Sequence, residues 1–204
     1  MISAVEHDCV RESARWLARQ GWKVTELPVD SLGRVDINFL EKQINQQTVL
    51  VSVIHGNNEV GTIQDIEKIG RICKARGCLF HTDAAQSFGK IKIDAKKMNI
   101  DFLTASSHKI YGPKGAAVLY IKSGNRLEPL LHGGGHEEGR RSSTVNVAAI
   151  VGMAKAVEIS ERVMEAEGRR IKGLSRKLTE GILARIRGAE LNGDPVTRLQ
   201  NNVN

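Results

Sequence analysis

Lys109 lies in Ser106-Ser107-His108-Lys109, straight after the apolar run Phe102-Leu103-Thr104-Ala105 and straight before Ile110-Tyr111-Gly112-Pro113-Lys114-Gly115. That arrangement places one amine at a strand end, beside hydroxyls and an imidazole and against a Gly/Pro-rich turn. Asp83 precedes it by 26 residues, in His81-Thr82-Asp83-Ala84-Ala85-Gln86, which closes a second short apolar run opened by Cys78. A lysine able to form a Schiff base and an aspartate able to hold a pyridinium nitrogen are the protein groups that pyridoxal phosphate needs most. Partial desolvation near other donors lowers a lysine toward the neutral amine that imine formation requires.

These residues need a scaffold that brings strand ends together. The pattern predicts a strand over residues 2–5, then a helix from Asp8 to Gln20 with Val10, Ala14 and Leu17 on one stripe and Gly21 as its stop. A strand is expected over 22–29, and Asp36 is placed to cap a helix through Phe39, Leu40 and Ile44. Thr48-Val49-Leu50-Val51-Ser52-Val53-Ile54 reads as a strand buried on both faces of a parallel sheet. A helix over about 65–75 follows, with Ile66, Ile69, Ile72 and Cys73 on one face. Three more strands are expected at 78–82, 102–105 and 116–121. Strands alternating with helices predict an α/β fold, a largely parallel sheet with helices on both faces. Residues 131–136 read as a loop. From Val147 the pattern is helical for a long way, and Gly168 and Gly173 predict two helices or a bend.

In open α/β sheets ligands bind beyond the carboxyl ends of the strands. His7, Asn58, Asp83 with Gln86, and Ser106 to Lys109 each follow a predicted strand, so one pocket is expected to hold them. Ser106 and His108 can donate to a phosphate, and Gly133 to Gly135 allow close backbone approach to an anion. Plainer roles exist for several of these. His7 can cap the helix that starts at Asp8, Asn57-Asn58 is good turn chemistry, and Ser142, Ser143 or Thr144 can cap the next helix.

Composition narrows the alternatives. The 204 residues are 41% hydrophobic and 26% charged, ordinary values for a globular chain. The net charge of +7 is spread out, its densest basic stretch alternates with Glu161, Glu165 and Glu167, and aromatics are only 4%. That argues against nucleic-acid binding. No apolar run approaches the ~18 residues of a membrane span, and the first residues lack signal-peptide character, so a cytoplasmic location is expected. Cys9, Cys73 and Cys78 have no metal-binding spacing. All three are expected to pack inward, which leaves no nucleophilic thiol and no metal site.

Five motifs in order also resemble a known family. They are Val5-Glu6-His7; Val51 to Gln64, containing His55-Gly56-Asn57-Asn58-Glu59; His81 to Gln86; Ser107 to Gly115; and Gly133 to Thr144. Together they look like the successive motifs of cysteine desulfurases, class V aminotransferase-fold enzymes that move sulfur from cysteine. The resemblance runs from Ile2 to Asn204. It implies a fold-type I pyridoxal-phosphate transferase large domain over 1–165, then the start of a smaller α+β domain over 166–204. It also implies that Lys109 is the Schiff-base lysine, Asp83 the pyridinium partner, and Gln86 the group bonding the ring hydroxyl. His7 is implied to stack on the ring and assist proton transfer, and Asn58 to lie near the ring hydroxyl and substrate carboxylate. Ser106 and His108 match phosphate ligands, and Thr144 matches a hydroxyl that reaches the phosphate of a neighbouring subunit.

By the same resemblance the substrate is L-cysteine, the chain is a homodimer, and a sulfur-acceptor or iron–sulfur scaffold protein is a partner. The family's first phosphate-binding turn, its nucleophilic cysteine loop and its carboxylate-binding arginine have no counterpart in these residues. A selenocysteine lyase or another class V lyase or aminotransferase therefore stays open. So does an inactive fragment or split-gene subunit that serves only in dimerisation or docking.

Overall fold

A computed structural model describes residues 1–204. The elements in chain order are β1 (Ile2–Ser3), α1 (Asp8–Arg19), β2 (Glu26–Leu27), α2 (Ile37–Gln43), β3 (Leu50–Ser52), α3 (Ile66–Arg76), β4 (Leu79–Asp83), β5 (Phe102–Ser106), β6 (Ala117–Ile121) and α4 (Val147–Arg185). Six strands form one sheet in the order β2-β1-β3-β4-β5-β6. Every pairing is parallel except β5 with β6. Parallel strands need crossover helices to cover them, which is why the strands read as runs of Val, Ile, Leu and Phe. Val51, Val53, Phe80, Leu103 and Ala105 join Leu40, Ile66, Ile69 and Cys73 in one core.

Local signals explain α3 well. Asp65 accepts from the Lys68 N–H at 3.0 Å, Ile66, Ile69, Gly70 and Cys73 form the buried stripe, and Gly77 ends the helix in the left-handed region. Gly70 faces the Met98 carbonyl oxygen so closely that a Cβ there would overlap it.

The strands expected over 2–5 and 48–54 shorten to Ile2–Ser3 and Leu50–Ser52, and three further expectations change. The strand predicted over 22–29 joins the sheet only at Glu26–Leu27, because the two residues of β1 offer a short ladder, and Val29 makes only a lone antiparallel bridge to Val35. The break expected at Gly168 and Gly173 is absent, and α4 runs unbroken for 39 residues. A helical glycine costs about 1 kcal/mol relative to alanine, which one packed helix absorbs. Gly168 packs beside the Gln200 side chain, whose Oε1 would lie 2.8 Å from a Cβ there. Thirdly, Cys9 is exposed, unlike Cys73 and Cys78. It sits in the first turn of α1, away from the side that buries Ala14.

The final residues pack against the segment that follows β3. Thr62 bridges Arg198, and the buried Asp194 pairs with Arg34 at 2.6 Å from Nε. No helix is long and apolar enough to cross a membrane.

Candidate functional site

Parallel pairing puts the carboxyl ends of β1, β3, β4 and β5 along one edge of the sheet. Ser52 is opposite His81, and Asp83 is opposite Thr104. His7 follows β1, Asn58 follows β3, Asp83 ends β4, and Ser106 ends β5. The His55 N–H donates to the Asp83 carbonyl at 2.9 Å, which ties the Asn58 loop to the Asp83 exit.

Asp83 is 5% exposed and its Oδ1 accepts from the Ala85 N–H at 2.8 Å. No cation pairs with it. A buried carboxylate without a cation is costly unless a partner of positive charge completes it. Gln86 is half-buried one turn further on, and its side chain makes no hydrogen bond within the chain.

His7 is the N-cap of α1: its Nδ1 accepts from the Cys9 N–H at 3.2 Å and lies 3.1 Å from the Cys9 Sγ. The plainer capping role is therefore real. It also leaves Nε2 free, since the capping bond occupies Nδ1. Partial burial, then the charge of Asp83, pushes the Cys9 thiol above its ordinary range, which favours the thiol over the thiolate.

Glu6, beside His7, carries no distinctive functional signal in the sequence. It is 3% exposed, and its Oε1 accepts from the Ser3 hydroxyl at 2.5 Å and from the Ile54 N–H at 2.6 Å. Its Oε2 is buried with no partner, and so is His55 Nδ1. Burial, with the Asp83 charge adding to it, raises Glu6 to about 7, and burial lowers His55 to about 4. The only sequence hint was an acid placed at the end of an apolar strand. His81 opens the run that carries Asp83 and Gln86. It bonds Ser52 Oγ through Nδ1 at 2.7 Å and contacts Thr104 Oγ1 at 3.4 Å, spanning three strands.

Asn57, not Asn58, does the turn chemistry expected of the pair. Its Oδ1 accepts from Glu59 and Val60 N–H groups at 2.9 Å each, and its Nδ2 donates to the Val5 carbonyl at 3.0 Å. The outer side of the loop is gripped by the last residues: Asn202 donates to Asn58 and Glu59 carbonyls, and Arg198 to Val60.

Ser106, half-buried, precedes the 3-10 turn Ser107–Ile110, and His108, exposed, lies within it. Lys109, half-buried on that turn, lines a cavity of about 220 Å³. Its other walls include Lys90, Ile159, Val163 and Asn201, with α4 on the far side. Asp83, His7 and Asn58 are not among the residues lining it. Lys109 and Asp83 thus leave adjacent strands on the same edge, with the lysine turned toward α4. Thr144 is exposed and its side chain makes no hydrogen bond; Asn146, not residues 142–144, caps α4, through Ala149 N–H at 3.1 Å. Ser142 instead donates to the Gly134 carbonyl at 2.6 Å and pins the glycine loop.

The family described as aminotransferase class-V matches residues 1–204. A cysteine desulfurase IscS of Clostridium botulinum is 48% identical over 206 residues, taking in 100% of this chain and 52% of that protein. One of Methanosarcina thermophila is 46% identical, over 100% of this chain and 50% of its own length. Among solved structures, a NifS-like protein superposes with a TM-score of 0.95 at 40% identity, over 99% of this chain and 56% of that one. A NifS-like protein from Rickettsia africae gives 0.91 at 35% identity, over the same shares. The chain spans about half the length of the curated relatives it matches.

Proposed function

The chain belongs to the class-V aminotransferase family, and on that footing we propose that it supplies the pyridoxal-phosphate site of a cysteine desulfurase. In the whole protein the reaction removes sulfur from L-cysteine, leaving alanine and an enzyme-bound persulfide for iron–sulfur or other sulfur-transfer pathways. The observation that carries this reading is Asp83: a buried carboxylate without a cation, at the carboxyl edge of a parallel sheet, one strand from Lys109.

The donor set suits the cofactor. Asp83 would hold the proton on the ring nitrogen, and Lys109 would attach the group through Nζ. Gln86 and Asn58 would bond the ring hydroxyl, and Ser106 and His108 the phosphate. His7, anchored through Nδ1 by its capping bond, would present the other face of its imidazole to the ring and move a proton at Nε2. Thr144, exposed before α4, would serve a neighbouring subunit's phosphate in a homodimer. Bound there, pyridoxal phosphate supplies an electron sink for breaking bonds next to the substrate's amino-bearing carbon.

We place the domain boundary at 165/166, within α4, and the protein in the cytoplasm with a sulfur-acceptor or scaffold protein as partner. The test is absorbance. Pyridoxal phosphate added to the chain produces a visible band that borohydride bleaches, leaving the cofactor's mass on the peptide that contains Lys109. In Lys109→Ala both band and mass adduct on that peptide disappear. An unchanged band in that variant refutes the assignment.

A further inference from the structure

Lys90 and Lys109 share one cavity, and the function proposed above uses only Lys109. Lys90 follows Gly89 in the connection between β4 and β5, and its N–H donates to the Ser87 carbonyl at 3.0 Å. Gly89 has a φ of +71° and a Cβ there would fall 2.7 Å from Ile110 and 3.2 Å from Ser160. The glycine therefore lets this turn press between the Lys109 turn and α4, and the Lys90 side chain is delivered into the gap.

The cavity, about 220 Å³, has apolar walls from Ile110, Ile159, Val163 and Met164. Its one carboxylate, Glu167, is already held by Arg170 at 2.6 and 2.8 Å. Neither lysine forms an ion pair, so two amines sit together with no acid to fix either as ammonium. We propose that Lys90 is a second carbonyl-reactive amine, a modification site for small aldehydes that enter the cavity beside Lys109.

Burial first, and the neighbouring charge of Lys109 second, hold the Lys90 ammonium below its ordinary range. That raises the share of free amine, the form that attacks a carbonyl. In the step, the Nζ lone pair bonds to the aldehyde carbon. The oxygen then leaves as water, taking both amine protons, and a C=N bond remains. Cyanoborohydride delivers hydride to that carbon, a proton adds at nitrogen, and a stable secondary amine marks the site.

The experiment treats the 204-residue chain with butyraldehyde and cyanoborohydride at neutral pH, to partial conversion, and reads each lysine by peptide mass spectrometry. Lys90 is expected to label several-fold faster than the exposed Lys23, Lys74 and Lys114. Lys109→Met removes the neighbouring charge and slows labelling at Lys90, whereas Lys109→Arg preserves it. Lys90 labelling no faster than the exposed lysines overturns the proposal, as does an equal rate in the Met and Arg variants. The readout needs no pyridoxal phosphate, so a failure of the cofactor assignment leaves it intact and separately decided.

Discussion

Glu6→Gln separates a buried neutral acid from a buried anion. In the folded chain Glu6 keeps its proton up to about 7, against an ordinary 4.5, because burial and then Asp83 disfavour the charge. The folded state therefore binds more protons than the unfolded state between those values, and stability falls as pH rises through that window. The contribution of the neutral form is fully present below 4.5 and is lost as pH passes about 7. At ~1.4 kcal/mol per pH unit, the window amounts to about 3 kcal/mol. Glutamine keeps an oxygen for the Ser3 hydroxyl and the Ile54 N–H but cannot ionise. Urea unfolding followed by circular dichroism at pH 5, 6, 7 and 8, at constant ionic strength, should show the variant gaining on the parent chain as pH rises. Most of that ~3 kcal/mol should appear between pH 5 and 8. His55 and His81, both lowered by burial, titrate alike in the two proteins and cancel in the difference. A difference that stays flat from pH 5 to 8 refutes the reasoning, since Glu6 would then be ionised throughout.

Other outcomes follow from single contacts. His7→Ala loses the α1 cap and should cost about 1 kcal/mol in urea unfolding, while His7→Asn keeps the cap and most of that stability. Gly70→Ala drives a methyl into the Met98 carbonyl and should destabilise by about 1–3 kcal/mol, despite alanine's better helix propensity. Asp194→Ala strips the acceptor from the Val196 and Thr197 N–H groups and from Arg34. It should cost about 3 kcal/mol and speed hydrogen exchange at Ile63, whose N–H donates to the Thr197 carbonyl.

What the sequence determined alone is the local part. The start near Asp65, the Ile66-Ile69-Cys73 stripe and the glycine at 77 lie within one another's reach along the chain, so α3 is legible in the sequence. The α/β class and the polar residue after each strand were legible for the same reason: each signal spans only a few positions. Strand length was not, because a strand exists only as far as its neighbour offers a ladder, and 22–29 keeps only two residues in the sheet. Tertiary structure alone decided the electrostatics. Glu6 acquires its environment from Ile54, 48 positions away, Asp194 its partner from Arg34, 160 positions away, and Lys109 its cavity from Lys90 and α4. It also exposed Cys9, since one turn of helix sets which side faces the core. Residue types and short spacings write the chemistry a chain can offer. Desolvation and charge neighbours, which tune that chemistry, come from segments that meet only when the sheet has formed.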